Sequence, residues 1–380
     1  MSLRLFLCRT TVLAVALLAA AAAHAQSLAL PPLTAKSWLL LDVTANHLIA
    51  GSNQQERLEP ASLTKLMTAY LTFVALRDKK LARDQTVPVS EKAWKVGGSK
   101  MFIEPQKKVT VDELMHGMII QSGNDASIAL AEAIGGSEEG FAAMMNREAK
   151  RLGMANSNFV NSSGLPDGKH YSTALDIALL ASAVIRDFPD LYTMYSIKEY
   201  RYNNITQQNR NRLLWLDPNV DGMKTGHTQS AGYCLVASAR RGERRLLAVV
   251  MGSSSDNLRA QEAQTLLNFG FQAFDTVRVY EKQKPVPQLR VWKGVSPELK
   301  AGLENDVYIA IPRGTNDKIK VDLATQPPLV APITKGQRIG SVKVTYDGKQ
   351  VGEHPVVAFE DVPVAGFFGR TWDTVMLWFK

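Results

Sequence analysis

Cysteine and histidine are scarce in this chain of 380 residues. It contains two cysteines, which excludes a small disulfide-stapled scaffold. Its six histidines form no H-E-x-x-H motif and no convincing zinc spacing, so we expect neither a metal nor another cofactor. A G-x-S-x-G motif is also missing, which argues against a Ser-His-Asp hydrolase. The length corresponds to two or three domains of ~150 residues each, which must be stabilised by hydrophobic cores rather than cross-links.

Long hydrophobic runs are also missing beyond the N-terminus. The run from 12 to 22 follows two arginines and precedes Ala23-His24-Ala25, which has small residues at both positions that a signal peptidase reads. It is shorter than the ~20 residues that span a bilayer. We therefore predict a signal peptide over 1–25 and an exported chain that begins at Gln26. A retained N-terminal anchor is the alternative.

The chain is basic without a dominant basic segment. Its lysines and arginines number 44 against 36 acidic residues, a formal net charge of +8. This charge suits nucleic acid, an anionic membrane or an acidic wall polymer, and does not choose among them. The densest basic run, Arg240 to Arg245, lies between two apolar runs and is typical of a solvated hairpin tip. We expect no nucleic-acid partner.

Residues 26–274 alternate between strand and helix patterns. Apolar residues spaced by three and four follow Pro60 and predict a helix. The Ser255-Asp256-Asn257 segment precedes another helix and is interpreted as its N-terminal cap. We predict an α/β (α+β) domain in which helices flank a sheet. The expected strands are 37–43, 47–50, 232–239 and 246–251, and the further helices are 111–120, 126–134, 141–152 and 258–269.

Beyond residue 274 the pattern changes to short alternating runs separated by prolines. The segment from Ser341 to Val351 alternates around Asp347-Gly348, which is a strong hairpin signal. The pattern therefore predicts a separate, small, all-β domain over residues 275–362. It contains no catalytic motif.

The C-terminal segment 366–380 has the pattern of an amphipathic helix. At ~100° per residue its apolar side chains fall within an arc of ~180°, with Leu377 outside it. Such a helix is ~22 Å long, too short to cross the hydrocarbon of a bilayer. Its many aromatic residues favour a helix lying in the lipid headgroup region over one docked on the β domain. The arc contains Phe367, Phe368, Trp372, Val375, Met376, Trp378 and Phe379.

Three short motifs follow one another in a fixed order. They are Ser62-Leu63-Thr64-Lys65, Ser122-Gly123-Asn124 and Lys224-Thr225-Gly226. Each is weak alone, but the combination is a specific signature of acyl transfer to serine.

The first motif pairs a nucleophile with a base. At helical spacing Lys65 reaches the oxygen of Ser62, and a lysine accepts its proton only when uncharged. Burial or a neighbouring cation is needed to lower the lysine pKa, and Lys224 is the cation that the sequence offers. Ser62 also follows Pro60 closely, at a helix start where free N–H groups stabilise an oxyanion.

The other two motifs supply proton transfer and substrate binding. Ser122 and Asn124 lie in a turn between two predicted helices, where a hydroxyl passes a proton to the leaving amine. Lys224 and Thr225 precede a predicted strand and suit a substrate carboxylate, while Gly226 lets a peptide backbone approach.

The motif set resembles the serine D-alanyl-D-alanine carboxypeptidases, the low-molecular-mass penicillin-binding proteins of the penicillin-binding protein 5 type. The stretches 59–68, 208–211 and 220–227 add to the resemblance, which covers nearly the whole chain. It implies a penicillin-binding, β-lactamase-like transpeptidase domain with an antiparallel sheet. It also implies these roles: Ser62 is the acylated nucleophile, Lys65 its proton acceptor, Ser122 and Asn124 assist proton transfer, Lys224, Thr225 and Arg210 bind the substrate carboxylate region, and the N–H groups of Ser62 and His227 form the oxyanion hole.

The resemblance implies removal of the terminal D-alanine from peptidoglycan pentapeptide stems, with β-lactams acylating the same serine. It places the chain at the periplasmic face of the inner membrane, attached through 366–380. A serine β-lactamase is one alternative, although the E-x-x-L-N stretch of class A enzymes is missing. A non-catalytic wall-binding protein is the other.

Overall fold

The computed structural model describes residues 29–287, 289–325 and 328–378. The predicted signal peptide and its cleavage site lie outside these residues, as do the last two residues of the predicted C-terminal helix. Across the described ranges, no helix combines the length and the hydropathy that a membrane span requires.

A five-stranded antiparallel sheet, in the order β2-β1-β9-β8-β7, forms the centre of the first domain. This confirms the predicted sheet. The strands of this domain are β1 (Ser37–Asp42), β2 (His47–Ser52), β3 (Thr86–Val87), β4 (Val109–Thr110), β5 (Glu199–Tyr202), β6 (Ile205–Gln208), β7 (Val220–Thr228), β8 (Gly232–Arg241) and β9 (Arg244–Ser253). The central strands β8 and β9 are apolar and buried on both faces, whereas β7 is an edge strand.

Helices cover both faces of this sheet. They are α1 (Lys65–Arg77), α2 (Glu91–Lys95), α3 (Val111–His116), α4 (Asn124–Gly135), α5 (Glu138–Arg151), α6 (Ala174–Asp187), α7 (Pro189–Tyr192), α8 (Leu213–Leu216) and α9 (Asp256–Ala273). Helix α9 packs on β8, β9 and β1, while α6 packs on β9, β1 and α1. The Ser255 hydroxyl accepts from the N–H of Leu258 and caps α9, as predicted.

Two predicted helices differ in form from the structure. The segment after Pro60 begins as a 3₁₀ turn, Ala61–Thr64, before α1 starts at Lys65. The helix predicted over 111–120 is α3 followed by a π-helical turn, Gly117–Gln121. Ser62 lies inside the 3₁₀ turn, and Ser122 directly follows the π-helical turn.

The run Arg240 to Arg245 forms a hairpin tip, as predicted. The prediction that the whole run is solvated is wrong for its last two arginines. One strand ends at Arg241 and the next begins at Arg244, so the turn between them is Gly242-Glu243. The Arg244 and Arg245 side chains are each 13% exposed and form ion pairs with Asp42 and Asp221. These arginines are structural, since their charges are compensated inside the fold.

The second domain is built from strands and one 3₁₀ turn, as predicted, and has its own hydrophobic cluster. Strands β17 and β18 form the predicted hairpin around Asp347-Gly348. The strands are β10 (Phe274–Tyr280), β11 (Leu289–Trp292), β12 (Glu298–Leu299), β13 (Ala301–Gly302), β14 (Val307–Pro312), β15 (Ile319–Thr325), β16 (Leu329–Val330), β17 (Arg338–Tyr346) and β18 (Lys349–Ala358). The final helix, α10, is Phe367–Leu377.

Helix α9 passes into β10 without a linker, at Ala273 and Phe274. Arg244 bridges this junction: its Nη1 donates to the Phe274 carbonyl at 2.6 Å and its Nε to Asp42 at 2.9 Å. Thr276 of β10 also donates to Asp42. The junction lies at the predicted change of character, although the exact bounds 26–274 and 275–362 stay a prediction.

The buried Asp42 carboxylate predicts a measurable stability effect. Replacing Asp42 with alanine leaves Arg244 buried without its partner, so we expect the free energy of unfolding to fall by ~3–5 kcal/mol. Lys318→Ala is the control, because its ion pair with Asp347 is exposed and contributes at most ~1 kcal/mol. Urea denaturation followed by circular dichroism measures both, and equal losses in the two variants would contradict the assignment.

Candidate active site

Ser62 lies in the 3₁₀ turn that precedes α1. In such a turn residues i and i+3 lie one above the other, which puts the Lys65 amine 2.9 Å from the Ser62 hydroxyl oxygen. Ala61 takes a left-handed conformation at φ +47°. Gly164 packs against it so closely that a Cβ there would lie 1.8 Å from the Ala61 carbonyl oxygen. The turn therefore requires glycine at 164.

The Lys65 amine is buried and donates to three oxygens. Besides Ser62, it contacts Oδ1 of Asn124 and the Ser163 carbonyl, each at 2.7 Å. Burial, helped by the nearby positive charge of Arg210, lowers the pKa of Lys65 to about 7. Lys224 is the second cation that the sequence predicts, and its charge does interact with that of Lys65: besides burial, the Lys65 charge lowers the pKa of Lys224. Arg210 is a further cation near Lys65 that sequence reasoning did not place in this role.

The three partners of Lys65 determine what the uncharged amine does. The Asn124 and Ser163 oxygens are carbonyl oxygens and only accept hydrogen bonds, whereas a serine hydroxyl also donates. An uncharged amine has two N–H donors and one lone pair, so the carbonyls take the donors and the lone pair faces the Ser62 hydroxyl. This arrangement can remove the serine proton.

Ser122 directly follows the π-helical turn and has a left-handed backbone at φ +68°. Its hydroxyl is buried and, in the described part of the chain, has no hydrogen-bond partner. Ser122 lines the same cavity as Ser62. A buried polar atom without a partner costs free energy unless a ligand satisfies it, so this hydroxyl is available to a bound molecule.

Asn124 begins α4 and uses both ends of its side-chain amide. Oδ1 accepts from Lys65, and Nδ2 donates to the Gly97 carbonyl at 2.7 Å. The next residue, Asp125, is fully buried and accepts from the N–H groups of Met101 and Phe102. The first turn of α4 is thus joined to the segment 97–102 by two consecutive side chains.

The third motif lies on the edge strand β7, beside the 3₁₀ turn. Thr225 and Gly226 line the cavity. A Cβ at Gly226 would lie 3.2 Å from the Ser62 nitrogen, so glycine keeps the space before that N–H open. The Lys224 amine is buried behind Thr225 and donates to its carbonyl at 3.1 Å. Burial and the charge of Lys65 hold the pKa of Lys224 well below its usual value.

One cavity of about 490 Å³ unites the three motifs. Its basic end contains Arg210 and Arg259, with Asp256 paired to Arg259. On its rim the His227 ring stacks on Tyr233 at 4.0 Å between centroids. The cavity is lined by Ser62, Gly98, Ser99, Ser122, Asn124, Ser163, Gly164, Leu165, Arg210, Thr225, Gly226, His227, Thr228, Tyr233, Asp256 and Arg259.

All nine predicted site residues therefore lie at or directly behind this cavity. Lys65 and Lys224 are the two whose amines are covered by other residues. Capping does not account for the whole Ser255-Asp256-Asn257 segment, since Asp256 lines the cavity as well.

Sequence reasoning missed several residues that shape the cavity. Ser163 supplies a carbonyl to Lys65, and the buried Glu138 holds the same loop by accepting from the Ser162 N–H and hydroxyl. Arg259 donates to the Gly226 carbonyl. The run Asn161-Ser162-Ser163-Gly164 is turn-rich and was the available signal for the loop, but nothing local marks Glu138 or Arg259.

Two family models match this chain. The D-alanyl-D-alanine carboxypeptidase family (peptidase S11) matches residues 22–255, and the C-terminal domain of penicillin-binding protein 5 matches residues 274–364. The D-alanyl-D-alanine carboxypeptidase DacC of Escherichia coli is 42% identical over 93% of this chain and 90% of its own length. The corresponding DacA of Haemophilus influenzae is 41% identical over 92% and 91%.

Solved structures agree as well. Penicillin-binding protein 5 from Haemophilus influenzae superposes with a TM-score of 0.83 at 40% identity, covering 88% of this chain and 98% of its own. Penicillin-binding protein 6B from Escherichia coli gives 0.72 at 37% identity over 87% and 97%. Ser62 thus lies in a penicillin-binding transpeptidase-like domain followed by an all-β domain, and the chain belongs to the D-alanyl-D-alanine carboxypeptidase family.

Proposed function

We propose that the chain is a serine D,D-carboxypeptidase that shortens peptidoglycan pentapeptide stems by one D-alanine, with Ser62 as nucleophile. One observation carries the assignment of roles: an amine with a pKa near 7 lies 2.9 Å from the Ser62 hydroxyl. A lysine in this state is a base at neutral pH, whereas an exposed lysine is not.

Acylation follows from the contacts around Lys65. The uncharged amine takes the Ser62 proton while the Ser62 oxygen bonds to the carbonyl carbon of the penultimate D-alanine. The N–H groups of Ser62 and His227 receive the resulting oxyanion, in the space that Gly226 leaves open. When the C–N bond breaks, the proton passes through the Ser122 hydroxyl to the amine of the departing D-alanine.

Deacylation uses the same groups in reverse. A water molecule loses a proton to Lys65 and attacks the ester carbon. The Ser62 oxygen leaves and regains the proton, which releases a stem that is one residue shorter. Asn124 keeps the Lys65 amine aligned in both steps.

The basic end of the cavity accounts for the specificity for a free carboxylate. Arg210 and Thr225 line this end and offer a guanidinium and a hydroxyl to the terminal carboxylate, with Lys224 directly behind Thr225. A substrate extended by one residue would lack a carboxylate at this point.

We also propose that β-lactams acylate Ser62. Penicillin-binding protein D2 from Listeria monocytogenes has been solved in an ampicillin-bound form and is 28% identical over 64% of this chain and 99% of its own, with a TM-score of 0.59. A serine β-lactamase is disfavoured because, among the described cavity residues, the one carboxylate is Asp256, which is paired with Arg259. Fast hydrolysis of the adduct in the manner of class A β-lactamases would need a carboxylate base near the ester.

We also propose that the C-terminal helix α10 attaches the chain to the periplasmic face of the inner membrane. Its Asp373 accepts from the Lys293 N–H of the β domain, so the helix contacts the protein through a polar residue. Its aromatic side chains face away, with Phe368 87% and Trp378 82% exposed. A helix that docked on its own domain would bury this face instead.

Replacing the nucleophile or the base tests the proposed reaction. Ser62→Ala abolishes release of D-alanine from a tripeptide ending in D-Ala-D-Ala and abolishes the penicillin adduct, and Lys65→Ala slows both by roughly 10²–10⁴-fold. Mass spectrometry detects both products. Ser196→Ala is the control, because that exposed hydroxyl bonds only the Thr193 carbonyl among described residues. An unchanged Ser62→Ala enzyme would favour the wall-binding alternative, and rapid penicillin turnover the lactamase.

The second prediction concerns pH. Since Lys65 must be uncharged, kcat/KM rises with pH to a plateau, is half-maximal near pH 7 and falls about tenfold per unit below. His170 does not titrate in this pH range, because burial lowers its pKa to about 4. Arg210 helps lower the pKa of Lys65, so Arg210→Gln moves the midpoint upward. A midpoint that stays in place contradicts the assigned cause.

The third prediction concerns the tail. The double variant Trp372→Ser/Trp378→Ser reduces co-sedimentation with vesicles of anionic and zwitterionic phospholipid at least tenfold, because the exposed rings supply the buried apolar area. Trp215→Ser is the matched control, since Trp215 is 45% exposed but lies on α8. Hydrolysis of a soluble peptide is unchanged in both. Equal binding of all three proteins would exclude α10 as the anchor.

A further inference from the structure

A second cavity, of about 580 Å³, lies beside the catalytic one and is not used by the proposed reaction. Its volume is within the range of roughly 300–1,000 Å³ that is typical of ligand sites. Two large aromatic side chains line it and remain exposed, Trp94 at 44% and Phe102 at 46%. The remaining lining residues are Glu91, Lys100, Ile103, Glu104, Pro105 and Gln106.

The exposed position of Phe102 is imposed by the structure around it. Its φ of +69° lies in the left-handed region, which a bulky side chain rarely adopts. The buried carboxylate of Asp125 holds this conformation by accepting from the N–H groups of Met101, Phe102 and Ile103. Backbone strain that is stabilised in this way is characteristic of functional sites.

Trp94 is held in place from the same segment. It lies on α2, and the Lys100 amine donates to its carbonyl at 2.7 Å. The Lys100 carbonyl in turn accepts from Gln207 of β6 at 3.1 Å. The backbone that carries each aromatic residue is thus held by hydrogen bonds, so little backbone entropy is lost when a ligand binds.

The two cavities have lining residues that are consecutive in the chain, along the segment 98–100. Gly98 and Ser99 line the catalytic cavity, and the adjoining Lys100 lines the aromatic one. The Ser99 carbonyl accepts from the Asn124 N–H at 2.7 Å. Trp94 is three residues from Gly97, a reach of at most ~11 Å. A substrate bound at Ser62 and longer than a few residues can extend into the aromatic cavity.

The chemistry of the aromatic cavity suits a neutral sugar better than the stem peptide. The flat aromatic faces match the C–H faces of a pyranose ring. Glu91, Glu104 and Gln106 offer oxygens to hydroxyl and N-acetyl N–H donors. Glu91 and Glu104 are paired with Lys95 and Lys107, so the cavity carries no excess negative charge and suits an uncharged ring.

Resting on the proposed function, we propose that the cavity between Trp94 and Phe102 is a glycan subsite, which binds an N-acetylated amino sugar of the polymer whose stem peptide lies at Ser62. The subsite makes the enzyme prefer stems still attached to the glycan strand over free peptides. Trp94 and Phe102 are binding residues that do not touch the reacting atoms.

The test compares two substrates that differ only in the sugar: an N-acetylated pentapeptide ending in D-Ala-D-Ala, and the same pentapeptide on its disaccharide. We expect wild-type kcat/KM to be higher for the disaccharide form. Trp94→Ala lowers kcat/KM for that form about tenfold, the loss expected for one ring contact, and leaves the free pentapeptide and penicillin acylation unchanged. Trp94→Phe, which keeps a ring, retains most of the preference.

Trp215→Ala is the matched control, since its exposure of 45% is close to the 44% of Trp94 and it lines neither cavity. An equal loss on both substrates would assign the cavity to the stem peptide, and no loss on either would leave it without a substrate role. Both outcomes overturn the glycan subsite while the wild-type enzyme still hydrolyses the free pentapeptide. If the wild-type enzyme leaves the free pentapeptide intact but accepts penicillin, the proposed function is what fails.

Discussion

The active site depends on keeping one lysine amine out of water without giving it a carboxylate. Among the described residues, no carboxylate lies within ion-pair distance of Lys65, whose contacts are a hydroxyl and two carbonyl oxygens. A carboxylate in contact would stabilise the charged form and remove the base. Asp125 and Glu138 do act on the amine, but from a distance, and they raise its pKa less than burial and Arg210 lower it. The result is an amine that changes charge near neutral pH.

This arrangement costs free energy, which the rest of the domain supplies. Ala61, Phe102 and Ser122 all adopt left-handed backbones around the cleft, and each such residue costs on the order of 1–3 kcal/mol. Close packing at Gly164 and the three bonds to Asp125 hold two of them in place. The strain is tolerable because one face of the five-stranded sheet packs on a large hydrophobic cluster and the other face packs on α9.

Local patterns predicted the fold well where local physics decides it. Alternation and turn residues located the hairpins, and the Ser255 cap located the start of α9. The three motifs correctly identified the 3₁₀ turn at Ser62, the loop at Ser122 and the edge strand β7 as parts of one site. Contacts between distant residues were not predictable in this way. Arg244 looks solvated in the sequence because its partner Asp42 is 202 residues away. The effect of Arg210 on the pKa of Lys65 was not predicted for the same reason, since sequence order gives no distance between buried charges.

The first turn of α4 explains why the catalytic amine and the aromatic loop form one unit. Asn124 faces Lys65, and its neighbour Asp125 faces the backbone of 101–103. The Asp125 side chain accepts from three N–H groups of the loop from the first turn of a helix, a position that favours a carboxylate because of the helix dipole. The Asn124 contact to the amine and the Asp125 contacts to the loop therefore depend on the same helical turn, which is why the catalytic amine and the aromatic loop are positioned together.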